Sequence, residues 1–375
     1  MRILYLTPGI THQPDSLPDH LTHALARMAQ REGHQVHVVT PPVSGTDQQA
    51  VNEDSPAVQD QQYLVRGVSV TRLAALPAVG ATARFWKWVR DQKFDLLHGV
   101  FVHPADWPVD PDAGSLPPLV ITLTGLPTAE SGATGFAGRQ WLRRADLCVV
   151  PSDYAASRWR KISPALSFRV MPLGVDLLAL IQARQVHMRD ITPQSPPTLL
   201  CIGTFDERSG LLDVLKAFAT LGQTDLRLHL IGGIDGHSAY GQSVLAELKS
   251  DPRILQTSTQ HPTTLAAIAQ PFDAVCLPDS GSQPLSLLAQ ECAALGIPCW
   301  MNRSGSLADA FDQHENLQPV PPADPSAWAT LMEHWVSSFD RSQLPSMDAA
   351  MPLRIEEAAF LYEGLYRSLI FDRSH

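Results

Sequence analysis

The chain has 375 residues, more than one ordinary hydrophobic core accommodates, so its length predicts two domains. Hydrophobic residues make up 44% of the chain and charged residues 18%, a balance typical of a folded globular protein rather than a disordered one. The net charge of −10 arises in the second half, where residues 191–375 carry 10 Lys and Arg against 21 Asp and Glu, and this acidity argues against a nucleic-acid partner.

The sequence also lacks the marks of a secreted, membrane-spanning or metal-binding protein. The N-terminal run MRILYLTPGI has no long apolar region or cleavage site, and no stretch approaches the ~20 apolar residues that cross a bilayer. The five cysteines show no CxxC spacing and lie mostly in apolar runs, which predicts reduced, buried thiols in a cytoplasmic protein. The fourteen histidines show no metal-ligand spacing, so we expect no metal site.

The first half of the chain alternates short apolar strands with helical patterns. The predicted strands are 2–7, 36–40, 94–100, 118–124, 145–151 and 168–173, with a β-like pair at 63–73 and helices at 19–34 and 81–92. Alternation at this spacing is typical of a parallel sheet that is covered on both faces. In the helix ARFWKWVR we expect Trp86 and Trp88 to pack against the sheet; the alternative is a peripheral membrane contact.

The pattern breaks at residues 177–196, whose Pro/Ser-rich TPQSPP predicts an interdomain linker. Alternation then restarts, with strands predicted at 198–204, 226–232, 253–257, 272–278, 297–301 and near LQPV, and helices at 208–220, 238–249, 263–269, 284–294 and 325–338. We therefore predict an α/β protein of two Rossmann-like, doubly wound parallel-sheet domains facing each other across a cleft. They span residues 1–185 and 186–352, and a last helix at 353–370 packs back on the first.

Ligands of open parallel sheets bind beyond the carboxyl ends of the strands, so the loop after the first strand of each domain is a candidate site. In the first domain, Gly9 allows close backbone approach and His12 can hydrogen-bond a sugar; the alternative is a plain connecting loop. In the second domain, Gly203 permits a tight turn and Arg208 is the basic residue within reach of an anion; the alternative is a structural turn.

The segment DSGSQPLSLLAQECAALGIP carries a further candidate site. Gln283 near the N-cap and Pro284 at the first helical position predict a helix start. Glu291 follows Gln283 by eight residues, about two turns, so both side chains can address one cleft. A carboxylate at Glu291 is suited to accept hydrogen bonds from a ribose diol, and the alternative is a solvated or capping glutamate.

In chain order, these segments resemble glycosyltransferase family 4, a large group of retaining enzymes with the GT-B fold. The segments that carry the resemblance are GHQVHVVT, FDLLHGV, ADLCVVPSDYAASRW, MPLGVD, LIGG, QPFDAVCLPDSGS, QECAALGIP and PVPPADPSAWATLM. They are similar to family segments such as GHEVHVVT, DVVHAH, ADVFVLPS and EAMACGIP. The resemblance covers nearly the whole chain and implies the GT-B arrangement of two Rossmann-like domains.

Several active-site positions of the family are replaced. Gln283 stands where the family has the first of two paired glutamates. Thr204 and Ser209 replace the diphosphate-binding arginine and lysine, and Thr124 replaces a histidine near the anomeric carbon. The second glutamate matches Glu291, and Arg208 is a partial substitute for the lost cations. Cations that face the departing phosphate supply much of the acceleration, and removing one such donor typically costs ~3 kcal/mol.

The resemblance implies transfer of a sugar from a UDP- or GDP-linked donor to an unidentified acceptor, with retention of configuration and no metal or other cofactor. The alternative is a non-catalytic GT-B protein that binds a partner or a glycan. The implied catalytic positions are Gln283, Thr124 and His12, and the implied donor-binding positions are Gly9, Gly203, Thr204, Arg208, Ser209, Ser258, Leu285, Ser286, Leu287 and Glu291.

Overall fold

The computed structural model describes residues 1–10, 16–41, 61–73, 79–101, 107, 116–127, 136–189, 192, 195–203, 205–222, 224–257, 264–268, 271–279, 286–306, 314–341 and 352–374. These residues form two compact domains. The first consists of Met1–Leu173 and Ile355–His375, and the second of Gly174–Arg354. The five cysteines are free and buried, as the sequence predicts.

Fourteen strands and ten α-helices follow one another along the described part of the chain. The first domain contains β1 Arg2–Leu6, α1 Leu17–Arg31, β2 Gln35–Thr40, β3 Gln61–Val65, β4 Val68–Arg72, α2 Val79–Asp91, β5 Leu96–Phe101, β6 Leu119–Leu123, α3 Phe136–Arg144, β7 Leu147–Val150, α4 Asp153–Ile162 and β8 Phe168–Val170. The second contains α5 Leu177–Arg189, β9 Thr198–Ile202, α6 Leu211–Thr220, β10 Arg227–Ile231, α7 Ala239–Ser250, β11 Ile254–Thr257, a 3-10 turn Leu265–Ala267, β12 Ala274–Leu277, α8 Leu287–Leu295, β13 Cys299–Asn302, β14 Leu317–Val320 and α9 Pro325–Ser338. The last helix, α10 Ile355–Ser374, belongs to the first domain.

The first sheet has the strand order β3-β4-β2-β1-β5-β6-β7-β8 and is parallel except for the β3–β4 hairpin. Its core on one face is rich in tryptophan. Trp86 of α2, Trp141 of α3 and Trp159 of α4 are at most 2% exposed and belong to one hydrophobic cluster. Trp88 packs on this cluster beside Phe94, with ring centroids 5.7 Å apart. The prediction that Trp86 and Trp88 pack against the sheet is confirmed.

Helix α10 is attached to the first domain through a buried polar layer. The Nδ1 atom of His98 lies 2.6 Å from the Tyr366 hydroxyl, and Nε2 lies 2.8 Å from Oγ1 of Thr122. That Oγ1 atom also lies 3.0 Å from the Tyr362 hydroxyl. Burial lowers the pKa of His98 to about 3, so the ring stays neutral, donating one of its hydrogen bonds and accepting the other.

The change Tyr366→Phe is expected to lower the free energy of unfolding by about 1–2 kcal/mol, because it leaves a buried ring nitrogen of His98 without its partner. Thermal or urea denaturation measures the loss. The matched control is Tyr63→Phe, which removes a hydroxyl that meets Arg72 in a half-buried position and should cost less. Equal losses for the two variants would show that the buried hydrogen bonds of this layer contribute no more to the free energy of unfolding than a half-buried one does.

The second sheet has the strand order β11-β10-β9-β12-β13-β14, with every pair parallel. Counted from β9, this is the order 3-2-1-4-5-6 of doubly wound dinucleotide-binding folds. The order reverses between β9 and β12. In such a sheet the ligand crevice lies outside the carboxyl ends of the two strands at the reversal.

The predicted linker at 177–196 is wrong in its first two-thirds, since Leu177–Arg189 form helix α5. The start signal is Asp176, whose carboxylate accepts a hydrogen bond from the Ala179 N–H. Helix α5 packs on the 3-10 turn and on α8 within the second domain, and Leu180 is buried. The structure therefore divides the chain after Leu173, twelve residues before the predicted boundary at 185. The helix predicted at 263–269 is only the 3-10 turn.

Candidate functional site

The ends of three strands converge on the start of helix α6, at the reversal point of the second sheet. Gly210, the N-cap of α6, has φ +63°, and a Cβ atom there would lie 2.2 Å from the carbonyl oxygen of Pro278, just after β12. Only glycine fits this position. Asn302 at the end of β13 donates from Nδ2 to the same carbonyl, at 2.6 Å. The loop after β9 is therefore held against the ends of β12 and β13.

Gly203 lies at the carboxyl end of β9, as the donor-binding prediction requires. A Cβ atom at Gly203 would have nothing within 4 Å, so this backbone borders open space. A Cβ atom at Gly232, just after β10, would lie 1.9 Å from the Gly203 carbonyl oxygen. The two strand ends thus approach each other closely: the Gly203 N–H donates to the Ile231 carbonyl at 3.2 Å, and the side of Gly203 where a side chain would stand is open.

The N–H groups at the start of α6 already have partners. The Ser209 hydroxyl donates to the Asp206 carbonyl at 2.7 Å and lies 3.0 Å from the Tyr240 hydroxyl. The N–H of Leu211 donates to Ser209 Oγ at 3.4 Å, and the N–H of Leu212 donates to the Tyr240 hydroxyl at 3.3 Å. Free N–H groups at a helix start attract phosphate. Here hydroxyl groups of the protein occupy that position.

Arg208 extends from the same loop into solvent. Its guanidinium group donates to Asp206 Oδ2 from Nε at 3.2 Å and from Nη2 at 2.7 Å, and its side chain is 66% exposed. An exposed ion pair of this kind contributes ~0–1 kcal/mol. A phosphate at Arg208 would therefore compete with the weakly held carboxylate of Asp206.

The change Tyr240→Phe removes the hydroxyl from the start of α6. We expect the free energy of unfolding to fall by about 1 kcal/mol, because the Leu212 N–H and Ser209 lose a partner. Thermal melting measures this change, with Ser243→Ala on the exposed side of α7 as the control. An unchanged melting temperature for Tyr240→Phe would show that water replaces the hydroxyl at no cost.

The predicted start of α8 at Pro284 is wrong. The helix begins at Leu287, and Ser286 is its N-cap, because the serine hydroxyl accepts a hydrogen bond from the Ala289 N–H at 3.2 Å. Serine is a strongly preferred N-cap, whereas glutamine is not. The helix that carries Glu291 therefore begins three residues after the predicted start, and Gln283 and Pro284 lie outside the described residues. Ser286 and Leu287 lie at the helix start, both buried, and the hydroxyl of Ser286 serves the cap.

Glu291 lies on α8 with 2% of its surface exposed, so it is not a solvated glutamate. One carboxylate oxygen accepts a hydrogen bond from the Thr264 hydroxyl and the other accepts one from the Leu265 N–H. Burial raises the pKa of Glu291 to about 8, against the lowering effect of these two bonds. The carboxylate thus caps the 3-10 turn that follows β11, and its contact with ribose stays a prediction.

The first-domain positions Gly9 and Thr124 both follow strands at the carboxyl edge of the first sheet. A Cβ atom at Gly9 would have nothing within 4 Å, and the Gly9 carbonyl accepts a hydrogen bond from Thr7 Oγ1 at 3.2 Å. Thr124 is 4% exposed, and its hydroxyl donates to the Phe101 carbonyl at 3.0 Å. This bond joins the ends of β5 and β6. The other predicted positions, His12, Thr204, Ser258, Gln283 and Leu285, lie outside the described residues.

The structure adds three residues that the sequence did not single out. Tyr240 and Asn302 shape the start of α6, and Thr264 binds the carboxylate of Glu291. Of these three, only Asn302 could have been found from the sequence, because it follows an apolar run at a strand end.

Within the described ranges, no three His, Cys, Asp or Glu side chains could together hold a metal ion. None of the helices described is long and apolar enough to cross a membrane.

Comparison with protein families assigns a glycosyltransferase model to each domain. Residues 20–177 match the model of Glycosyltransferase Family 4, and residues 196–338 match the model of Glycosyl transferases group 1. The two matches follow one another and together cover most of the chain. The chain belongs to the GT-B glycosyltransferases. The predicted resemblance and the predicted α/β fold of two parallel-sheet domains are confirmed.

A relative and two solved structures match this glycosyltransferase over most of their length. Phosphatidyl-myo-inositol mannosyltransferase of Mycobacterium leprae is 26% identical over 352 residues, which are 88% of this chain and 86% of the relative. Sucrose-phosphate synthase of Thermosynechococcus elongatus has a similar structure, with a TM-score of 0.73 at 17% identity over 99% of this chain and 100% of that chain. HepE of Anabaena in complex with UDP has a TM-score of 0.63 at 13% identity over 100% of this chain and 98% of that chain. These two solved structures share the fold.

Proposed function

We propose that this glycosyltransferase moves a sugar from a UDP- or GDP-linked donor to an acceptor hydroxyl, with retention of configuration and without a metal or other cofactor. The observation that carries the proposal is the open space beside Gly203, where a side chain would otherwise stand, at the reversal point of the second sheet. The position is where doubly wound folds bind nucleotides. Helices α6 and α8 both begin beside the neighbouring strand ends, and their positive dipole ends favour a diphosphate there.

The chemistry that this site must supply is stabilisation of charge on the departing nucleoside diphosphate. Helix dipoles and the exposed guanidinium group of Arg208 are suited to the task. The family's arginine and lysine are replaced by Thr204 and Ser209, and the nearby carboxylate of Asp206 opposes the leaving charge. We therefore expect weak affinity for nucleoside diphosphates and slow turnover.

The acceptor that we propose is a hydroxyl of a glycolipid or of a related polyol. The support is the match over 86% of the length of a relative that is named a phosphatidyl-myo-inositol mannosyltransferase. At 26% identity the match supports the chemical class of the acceptor and not the individual molecule.

A thermal-shift panel of UDP, GDP and their common sugar conjugates tests the donor. Binding to the folded state raises the melting temperature by mass action, and a bound conjugate should raise it more than the nucleotide alone. Release of UDP or GDP from the stabilising conjugate, followed by product stereochemistry, then tests transfer and retention. A protein that no nucleotide or nucleotide sugar stabilises would refute the donor site.

The second candidate is a non-catalytic GT-B protein that binds a partner or a glycan. The observation that favours it is the start of α6, where Ser209 and Tyr240 hydroxyls occupy the N–H groups that a phosphate would use. Stabilisation by a glycan together with no response to any nucleotide sugar would favour this candidate over the enzyme.

A further inference from the structure

Helix α10 presents an apolar face to solvent on the surface of the first domain. Among the described residues, six large apolar side chains are strongly exposed, and three of them, Phe360, Leu361 and Phe371, lie on this helix. Phe360 is 61% exposed and Leu361 is 48% exposed. Because an α-helix repeats every 3.6 residues, these three lie on one side together with the exposed Gly364 and Ser368. We call these five residues the outer face of α10.

The opposite side of α10 is the side that holds the helix on the first domain. Ala359, Tyr362 and Tyr366 are at most 2% exposed, and the two tyrosines belong to the buried polar layer on His98 and Thr122. A surface helix with one packed side normally carries polar residues on its other side. Contiguous apolar residues on an exposed side mark a site of interaction with another molecule.

Gly364 lies at the middle of the outer face. Glycine is a poorer helix former than alanine, so its presence inside a helix calls for a reason. A Cβ atom at Gly364 would have nothing within 4 Å, so within the described chain no neighbour requires a glycine there. A glycine on a helix surface allows the backbone of a second helix to approach closely. Gly364 therefore indicates a contact with a helix of another molecule.

The outer face is complementary to itself when two copies run antiparallel. With Gly364 on the two-fold axis, residues at equal distances before and after it lie level with each other, so Phe360 of each copy lies over Ser368 of the other. A large ring thus meets a small side chain on both sides of the axis, and the two glycines face each other. The dipoles of antiparallel helices also attract one another.

The charges of α10 fit the same arrangement. Glu356 lies in the first turn, and Arg367 lies on the same flank of the outer face, because eleven residues are close to three turns. In the antiparallel pair, Arg367 of one copy lies ~7.5 Å along the axis from Glu356 of the other, which two long side chains span. Arg367 is 61% exposed, although it also meets Glu363 and Glu32. A parallel pair would instead bring like charges together.

We propose that two copies of this glycosyltransferase associate through the outer faces of α10, antiparallel about Gly364, and form a two-fold homodimer. A second copy fits the outer face because one helix supplies both the large and the small residues, and both charges, that the contact needs. This association goes beyond the proposed sugar transfer and does not depend on it, since α10 belongs to the first domain and the candidate donor site to the second.

Sedimentation velocity of the full chain tests the association. Over a dilution series, the mass should decrease from twice the chain mass of 41.0 kDa toward that mass. The variant Gly364→Glu places two carboxylates face to face on the axis and should associate at least about tenfold more weakly. The matched control Ser157→Glu adds the same charge at an exposed small residue of α4 in the same domain and should associate as the unchanged chain does.

Disulfide cross-linking tests the orientation of the two helices. The five native cysteines are buried, so a cysteine introduced on the outer face is the one that an oxidant reaches. Air oxidation catalysed by copper phenanthroline should link Gly364→Cys to its own copy, because this position lies on the two-fold axis. Ser368→Cys should not link, since the two copies of that residue lie ~12 Å apart along the antiparallel pair, too far for a disulfide.

Melting temperatures of all variants establish that they fold. A chain that stays monomeric throughout the dilution series would overturn the proposal, as would unchanged association of Gly364→Glu or an equal loss in Ser157→Glu. Linking of Ser368→Cys as readily as Gly364→Cys would overturn the antiparallel arrangement. Donor-induced thermal shifts of the same variants are measured separately, so failure of association and failure of the proposed transfer are distinguishable.

Discussion

Replacement of Glu291 by alanine is expected to lower the free energy of unfolding of the second domain by about 2–4 kcal/mol. The carboxylate is buried on α8 and accepts hydrogen bonds from the Thr264 hydroxyl and the Leu265 N–H. Alanine leaves both donors without a partner and leaves a cavity where the side chain was. Denaturation in urea measures the loss. The isosteric variant Glu291→Gln keeps an acceptor for Leu265 and should lose much less near pH 6.

The same residue makes stability depend on pH. Burial raises the pKa of Glu291 from 4.5 to about 8. Between these values the folded chain holds a proton that the unfolded chain has released, so this group's contribution to stability decreases as the pH rises from 4.5 to about 8. Glutamine does not ionise. The melting temperature of Glu291→Gln relative to that of the unchanged chain should therefore rise with pH, and a constant difference from pH 5 to 8 would contradict the protonated state.

Nucleotide binding to Glu291→Gln separates the two roles of this position. If Glu291 also holds the ribose of the donor, its loss should weaken nucleotide binding by about 1–3 kcal/mol, as for a charge-assisted hydrogen bond. If the carboxylate only caps the 3-10 turn, the glutamine variant should bind every nucleotide as the unchanged chain does. Titration calorimetry with UDP and GDP distinguishes the outcomes.

The double change Thr204→Arg, Ser209→Lys is expected to strengthen binding of nucleoside diphosphates by about 2–4 kcal/mol, because it returns two cations to the loop after β9. Ser209 lies at the start of α6, beside Gly210. Lysine there gives up the bonds to the Asp206 carbonyl and the Tyr240 hydroxyl, which reduces the gain. Calorimetric titration with UDP and GDP measures the affinity.

The control for this design is the pair Thr220→Arg, Ser250→Lys, which adds the same charge at the far ends of α6 and α7. It should leave diphosphate binding unchanged, because the added cations lie at the opposite edge of the sheet. A gain of similar size in the control would mean that net charge alone attracts the nucleotide. Flat binding in the Thr204, Ser209 variant would show that the loop does not meet the diphosphate.

The sequence predicted the strands of both domains well because buried parallel strands are short, nearly continuous apolar runs. The run FDAVCLP contains β12, and helix α9 matches its predicted bounds because Asp324 and Pro325 mark the start. Helices α3, α4 and α5 were missed, since polar or Pro-flanked segments conceal their periodicity. The start of α8 was misplaced because Pro284 outweighed Ser286, a better N-cap, in the prediction.

The site was less predictable because its contacts join distant parts of the chain. Glu291 meets Thr264 from 27 residues away, and Tyr240 reaches Ser209 across 31 residues. No pattern within a short stretch of sequence predicts contacts between residues so far apart in the chain. Gly203 was predictable because a glycine at the end of a strand indicates a tight turn in that stretch of sequence alone. The role of Tyr240 depends instead on where α7 crosses the sheet.

The return of α10 to the first domain has a consequence for biosynthesis. The Tyr362 and Tyr366 side chains that cover His98 and Thr122 are synthesised only after the whole second domain. The first domain therefore emerges early with one polar face of its sheet uncovered, while residues 174–354 form a continuous unit that can fold as it emerges. A chain that ends at Arg354, with the whole second domain and without α10, should consequently carry a protease-resistant second domain and a protease-sensitive first one, the reverse of their order of synthesis.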